Sequence, residues 1–376
     1  MGLHMSNRET NVLVVTGGPC GGKTTALNYI GRKLDDYGVS PIFIPEVATI
    51  LINAGLRPQE LTKEKLFSFQ ELVLKTQLSF EDSIFKEAMR IKGGTRKVII
   101  CDRGCMDASA YMAKEEFQKL LSKNKWDEAD LCDRRYDGIF HLVTAAEGKE
   151  KYYNLDNPAR HETPEQARAV DERTRQAWVG HPHLVVIDNS TLFEKKMKRL
   201  LNAIRKTLGI PVAVETERKF LVKSSFSLSS IPVPFKVIDI EQFYLQSEDG
   251  RGMRLRRRSR ENSGSVYYKT FKLPTKSFMS RIEIEEQISE LDYYRGLANL
   301  DYHFDPIRKQ RICFLWKNQY FELDIFSSPE RHKGLVLLEI ELTEENDRVD
   351  IPEWLGRVIE VTGDTKYDNF SLAKRH

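Results

Sequence analysis

Cysteine is scarce in this 376-residue chain. The five present (Cys20, Cys101, Cys105, Cys132 and Cys313) include no C-x-x-C pair, which argues against a disulfide framework and for a reducing, cytoplasmic setting. A strong charge of either sign is also missing: 58 Lys and Arg face 55 Asp and Glu, for a net charge of +3. No global field therefore points to nucleic acid as a partner, and any basic function must be local. No apolar run approaches the roughly 18 residues of a membrane span. No charged-then-apolar leader opens the chain, so it reads as soluble. The four residues before Met5 are left out of the fold reasoning, and there is neither a repeat nor a low-complexity tract.

What is present divides in two, as the length leads one to expect. Residues 6–209 alternate short β-branched runs with long helical patterns, the signature of a parallel sheet wrapped by helices. The spacing predicts strands at Val12–Thr16, Pro41–Ile44, Lys97–Cys101, Gly138–Val143 and Leu184–Ile187. Helices are expected over Lys23–Asp36, Lys63–Arg90, Pro164–Trp178 and Thr191–Thr207. Gly209-Ile210-Pro211 stops the last helix. Residues 211–376 then change to period two, with eight strand-like runs beginning near Val214, Val237, Gly252, Ser265, Arg281, Ile307, Gln319 and Leu335. Eight consecutive strands predict an antiparallel sheet closed, or nearly closed, on itself.

The first predicted strand runs directly into Gly17-Gly18-Pro19-Cys20-Gly21-Gly22-Lys23-Thr24, a G-x-x-x-x-G-K-[ST] loop in the required strand, loop and helix context. Glycines let the backbone wrap a phosphate, Lys23 reaches the β and γ phosphates, and the Thr24 hydroxyl, followed by Thr25, ligates Mg²⁺. Val98-Ile-Ile-Cys101 ends in Asp102-Arg103, putting a carboxylate at the sheet edge where it meets the metal or merely caps the strand. Glu46, after the second strand, either holds a water or a ligand beside the metal or is an exposed loop glutamate. The segment from Asn157 to Arg175 reads as a helical lid, with Arg160 as the arginine offered to the γ-phosphate. Arg168, Asp171, Glu172 and Arg175 also have the spacing of pairs on any solvated helix. His181 and His183 lack a further ligand at metal spacing and read as structural.

With Phe140 to Glu147, Ala159 to Pro164, Gly180 to Leu184 and Asp188-Asn189, these motifs resemble the NadR-type P-loop ATPase family over essentially the whole first domain. The resemblance implies a kinase-like P-loop fold and, for its animal branch, GTP binding. The guanine-specific N-K-x-D motif is absent, so a preference for GTP rests on the resemblance. Asp188 and Asn189, after the last strand, are the candidates for contacting the base.

In the second domain charged residues recur at intervals of two, which places each set on one face of its strand. The sets are Glu215, Glu217 and Lys219; Arg254, Arg256 and Arg258; Lys269; Arg281, Glu283 and Glu285; Lys309 and Arg311; Glu322 and Asp324; Glu339 and Glu341. Either these are solvated outward faces, or they line an ionic interior with cations for phosphoryl oxygens and carboxylates for Mg²⁺ or Mn²⁺. Six strands led by E-x-E-x-K favour the interior. The basic run Arg251–Arg260 also fits a nuclear-localisation or nucleic-acid patch, but its alternation favours the same channel.

Glu215-x-Glu-x-Lys219, Asp324-Ile-Phe, Gly334 to Leu342, Pro352 to Gly356 and Val361 to Tyr367 resemble the CYTH, or triphosphate tunnel, family. The resemblance implies an eight-stranded tunnel, with Glu215, Glu217, Asp324, Glu339 and Glu341 as metal or metal-support residues. Lys219, Arg254, Arg256, Lys269, Lys309, Arg311 and Lys366 would then grip phosphate. Both domains in this order resemble the TRPL translocation defect protein family. That likeness implies a GTP-binding regulator of membrane-protein trafficking, slowly hydrolysing GTP through Lys23, Asp102 and Arg160, which recognises phosphoinositides or polyphosphate and touches endomembranes peripherally. The alternatives are a metal-dependent triphosphatase acting in the tunnel and a small-molecule kinase.

Overall fold

A computed structural model describes residues 10–56, 62–91, 95–153, 163–210, 217–224, 227–246, 253–273, 282–344 and 347–375. The chain divides into two compact units at residues 211/212.

The first unit is built on five parallel strands in the order β2-β3-β1-β4-β5. They are β1 (Asn11–Thr16), β2 (Val39–Ile44), β3 (Arg96–Asp102), β4 (Gly138–Leu142) and β5 (Leu184–Ile187). Around them lie α1 (Lys23–Leu34), α2 (Val47–Asn53), α3 (Lys63–Arg90), α4 (Lys114–Asn124), α5 (Pro164–Gln176) and α6 (Phe193–Thr207). The central strands are apolar on both faces because helices cover both, as a parallel sheet requires. Leu13, Val15, Phe140 and Leu142 join Ile30 of α1 with Leu200 and Ile204 of α6 in one core. All five strands fall where the alternation of the text predicts, while α2 and α4 are additional. Among the described residues no helix is long and apolar enough to cross a membrane.

The second unit is an antiparallel sheet of nine strands in the order β10-β9-β8-β7-β11-β12-β13-β6-β14. These are β6 (Glu217–Val222), β7 (Phe235–Leu245), β8 (Met253–Arg260), β9 (Ser265–Leu273), β10 (Ile282–Ile288), β11 (Ile307–Trp316), β12 (Gln319–Ser328), β13 (Val336–Glu341) and β14 (Val358–Glu360). Short helices α7 (Glu290–Gly296) and α8 (Asn369–Ala373) complete it. The sheet has one strand more than the eight expected: β14, three residues long, pairs with β6. Along β11 the period-two pattern separates Ile312 and Phe314, which pack with Phe220, Phe321, Leu323 and Leu338, from Lys309 and Arg311 on the other face. Lys309 and Arg311 are nonetheless buried, so the charged face looks inward.

Candidate functional site

In the first unit β1 delivers the chain into the glycine loop, and α1 starts at Lys23. Gly17 has φ +147° and lies against the Leu142 carbonyl oxygen, where a Cβ would collide. Gly22 caps α1 at φ +87°, a left-handed conformation natural to glycine. The end of β4 braces the loop: Thr144 Oγ1 donates to the Pro19 carbonyl (2.5 Å), and the Ala145 N–H donates to that of Cys20 (3.2 Å). Thr24 and Thr25 are exposed at the first turn of α1.

Four charged groups surround Lys23, whose Nζ donates to the Gly17 carbonyl at 3.3 Å. Burial and the neighbouring Arg103 lower its pKa, against Glu46, Asp102 and Asp107. Asp102 stands opposite Val15 in the β1–β3 register. Burial, aided by Glu46 and Asp107, raises its carboxyl, and its buried Oδ1 has no hydrogen-bond partner among the described residues. A buried, unpartnered carboxylate oxygen beside a P-loop lysine fits the position of a metal ligand, with Thr24 as its companion. Glu46 proves to be no free loop glutamate. It pairs with Arg103 and accepts from Thr49 Oγ1 (2.7 Å). Burial raises its carboxyl, but Arg103 and Lys23 outweigh that and bring it down to about 2. Arg103 reaches Glu46 from a left-handed backbone (φ +69°), a strained conformation of the kind that collects at functional sites.

Asp171 of α5 corrects the reading of its helix as a solvated face. It is fully buried, and its Oδ1 accepts from the Gly18 N–H (2.7 Å) and the Thr144 N–H (3.2 Å), with His141 Nε2 also 3.2 Å away. Burial raises its carboxyl, while His141, Arg175 and the Gly18 N–H more than offset this, for a net lowering. Arg175 is likewise buried and pairs with Glu172, while Arg173 Nε donates to the Ala110 carbonyl. Arg160 lies outside the described residues. His181 is buried, with Nε2 3.1 Å from the Tyr136 carbonyl oxygen.

The two residues expected at the base are engaged within the protein. Asp188 Oδ1 accepts from Arg199 Nη1 and Ser190 Oγ, both at 2.6 Å. Asn189 Nδ2 donates to the Thr144 and Glu147 carbonyls, both at 2.8 Å, and its Oδ1 accepts from Lys196 Nζ at 2.7 Å. Lys196 also donates to the Val143 carbonyl (2.8 Å), and burial brings its amine down to about 8. Nothing in the local text marks Lys196, because it lies on a helix rich in exposed lysines.

In the second unit the strand register assembles a chain of buried ions. Arg311 Nε and Nη2 grip Asp324 Oδ1 and Oδ2, both at 2.7 Å, and Nη2 also reaches Glu339 Oε2 at 2.7 Å. Its Nη1 pairs with Glu322. Lys309 Nζ donates to Asp324 Oδ2 (2.5 Å), and Lys219 Nζ lies 3.0 Å from Glu339 Oε1 and 3.6 Å from Glu217 Oε1. Asp324 is held well below the carboxylate range, because Arg311 and Lys309 outweigh its burial. Glu217 goes the other way: though 48% of its side chain is exposed, partial desolvation and then Glu339 push it up to about 7, with Glu341 also contributing. Glu217 and Glu341 are direct cross-strand partners on β6 and β13. Glu215 lies outside the described residues.

Further round the sheet Arg256 and Arg254 approach Glu285 Oε2 at 3.4 and 4.0 Å. Burial lowers the Arg256 pKa, and Arg254, Arg258 and Arg311 lower it further against Glu285. Lys269 corrects the expectation of a phosphate grip: it stands opposite Leu255 and Glu286, on the other face of the sheet from Arg254, Arg256 and Arg258, with Nζ 4.9 Å above the Phe271 ring; Lys366 is exposed. Among the described residues no three His, Cys, Asp or Glu side chains gather closely enough to hold a metal ion unaided. Asp324 and Glu339 have their oxygens engaged by cations, while Glu217 beside Glu341 retains the crowded, proton-attracting chemistry that a hard cation relieves.

Two family descriptions match the chain: an AAA domain over residues 12–196 and a CYTH domain over residues 213–376. The inorganic triphosphatase of Acetivibrio thermocellus is 38% identical over 104 residues, covering 27% of this chain and 61% of that protein. The chain thus spans less than two thirds of this curated relative. Two crystal structures of the protein NE1496, one described as an inorganic triphosphatase and one as a hypothetical protein, are 28% and 27% identical. They cover 44% and 43% of this chain and 97% and 99% of theirs, with TM-scores of 0.30 and 0.31. The chain therefore joins an AAA domain, which carries the P-loop, to a CYTH domain.

Proposed function

We propose that this is a two-site phosphoanion protein, whose P-loop domain binds a purine nucleoside triphosphate with Mg²⁺ and whose CYTH domain binds and hydrolyses a triphosphate with Mg²⁺ or Mn²⁺. The observation that carries the second site is the excess of cations on the inner face. Burial first, and then Arg254, Arg258 and Arg311 against Glu285, lower the Arg256 pKa, and an anionic chain threaded among these cations offsets both their desolvation and their repulsion. Lys219, Arg254, Arg256, Lys309 and Arg311 supply phosphate contacts in this reading, and Lys366 would act at the rim. Glu217 and Glu341, with Glu215, would hold the cation, which supplies charge neutralisation and an activated water. The similarity to an inorganic triphosphatase supports hydrolysis. In the first domain the cradle formed by Gly17 to Gly22 takes the phosphates, Lys23 neutralises them, and Thr24 and Asp102 would hold Mg²⁺.

One observation favours a second reading, in which the CYTH domain binds without cleaving. Asp324 and Glu339 are neutralised by Arg311, Lys309 and Lys219, so they act as counterions and not as open metal ligands. The finer reading that follows has GTP on the P-loop, a phosphoinositide head group among the inner cations, peripheral membrane contact and a role in membrane-protein trafficking. Phosphate release from tripolyphosphate, GTP and ATP, measured on the parent, Lys23→Ala and Glu217→Gln, separates the two. Tripolyphosphate hydrolysis lost only in Glu217→Gln supports the triphosphatase. Slow GTP hydrolysis lost only in Lys23→Ala, with an inert tunnel, supports the binding reading.

A further inference from the structure

The polar residues after β5 are spent on bracing, yet the same segment presents two apolar side chains to solvent. Leu192 is 78% exposed and Phe193 49% exposed. Phe193 is the first residue of α6, and its ring lies against the glycine loop: a Cβ on Gly22 would come within 2.9 Å of Phe193 Cε2 and 3.3 Å of Cζ. Gly22 is the N-cap of α1, where the phosphates of a P-loop nucleotide sit. A half-exposed aromatic ring thus flanks the cradle.

The ring is also held in place. Asn189 and Lys196 tie the segment and the start of α6 to the carbonyls of residues 143, 144 and 147. That loop in turn braces Pro19 and Cys20. The glycine loop, the β4 loop and the start of α6 that carries Phe193 are therefore tied together by hydrogen bonds, which fix the backbone from which the ring reaches the cradle.

We propose that Phe193 is the platform on which the purine ring of the P-loop nucleotide stacks, with Leu192 extending its apolar surface. This deepens the P-loop reading above and rests on it. Asp188 and Asn189 are positioning residues in this arrangement: their hydrogen bonds orient the platform and leave recognition to the π face. An aromatic platform favours purines over pyrimidines through their larger stacking surface and does not by itself separate GTP from ATP.

The test is equilibrium dialysis of radiolabelled GTP, ATP and UTP with Mg²⁺ against the full chain, Phe193→Ala, Phe193→Tyr and Lys23→Ala. Stacking of this kind predicts a roughly 5- to 100-fold loss of GTP and ATP affinity in Phe193→Ala, a smaller loss for UTP, and near-parental binding in Phe193→Tyr. The purine-to-pyrimidine ratio is the readout that a purely structural role for the ring would leave unchanged. If Lys23→Ala loses the nucleotides while Phe193→Ala keeps both parental affinity and parental ratio, the platform is refuted and the P-loop site stands. If Lys23→Ala binds as the parent does, the P-loop reading fails and takes the platform with it. A nucleotide-free melting temperature for Phe193→Ala close to the parent's keeps either result from being ascribed to misfolding.

Discussion

Replacing Arg311 with methionine exposes how the inner face of the CYTH domain is held together. Arg311 is buried and touches three carboxylates, with paired 2.7 Å contacts to Asp324, another at 2.7 Å to Glu339 and a fourth to Glu322. Methionine fills much of the space but supplies no donor, so the three carboxylates are left to share Lys309 and Lys219. Removing one partner of a buried ionic group costs about 3–5 kcal/mol. For a domain of this size each kcal/mol moves the melting temperature by roughly 2–4 °C, which predicts a fall of roughly 6–20 °C at pH 8. Trp316 and Trp354 pack on the apolar core of this domain, so their fluorescence follows its unfolding. Without Arg311 the folded-state carboxylate pKa values rise above their unfolded values. The folded variant then binds protons more tightly than the unfolded chain, and its deficit shrinks as pH falls from 8 towards 5. Adding Asp324→Asn should cost less in the Arg311→Met background than in the parent, because the charge it removes is already uncompensated. Strict additivity of the two substitutions, or a melting temperature for Arg311→Met within 2 °C of the parent at pH 8, would refute the ionic-chain account.

Four further outcomes bear on the sites. The Glu217 carboxyl, at about 7, must lose its proton to serve a cation, so tripolyphosphate hydrolysis should climb as pH rises through about 7. Glu217→Gln should show neither the activity nor the inflection. By linkage the same group makes the metal-free domain less stable as pH rises from about 4.5 to 7, a trend that saturating Mg²⁺ should flatten in thermal melts. In the P-loop domain a Cβ on Gly18 would lie 2.6 Å from that of Asp171, so Gly18→Ala should displace α5 and weaken nucleotide binding at least tenfold by dialysis. Asp171→Ala, which strips the acceptor from the Gly18 and Thr144 N–H groups, should cost about 1–3 kcal/mol in denaturant titration while leaving the CYTH transition unmoved.

The glycine loop was legible in the text because its chemistry is local: eight consecutive residues carry the turn, the cation and the hydroxyl. Asp102 was legible for a related reason, since a strand that must be buried ends in a carboxylate. Asp171 was not. It meets Gly18 across 153 positions, and its i,i+4 spacing from Arg175 is also the spacing of an ordinary solvated pair. Which face of α5 turns inward is decided by its packing, not by its own pattern. In the second domain period two identified the charged face but not its pairing. Arg311 meets Asp324 and Glu339 because β11, β12, β13 and β6 lie in sequence across the sheet, an order set by non-local strand pairing. β14 escaped notice because three residues carry too little alternation to read.

The inner face of the CYTH domain is an expensive construction for a fold that needs only stability. Apolar residues of similar volume in place of a buried ionic cluster commonly leave a protein no less stable, so folding alone does not explain an interior holding Arg254, Arg258, Lys309 and Arg311 together. Two kinds of group within it behave differently. Asp324 and Glu339 are satisfied, with both carboxyls drawn down by adjacent cations. Arg256 and Glu217 differ: despite Glu285 and Lys219 nearby, each has its charged form disfavoured, first by desolvation and then by like charges, cations round the guanidinium and carboxylates round the carboxyl. An anion would relieve the first and a cation the second. A triphosphate carrying a divalent metal brings both charges in one ligand, and on this argument the satisfied pairs form the frame while Arg256 and Glu217 mark where the ligand and its metal enter it.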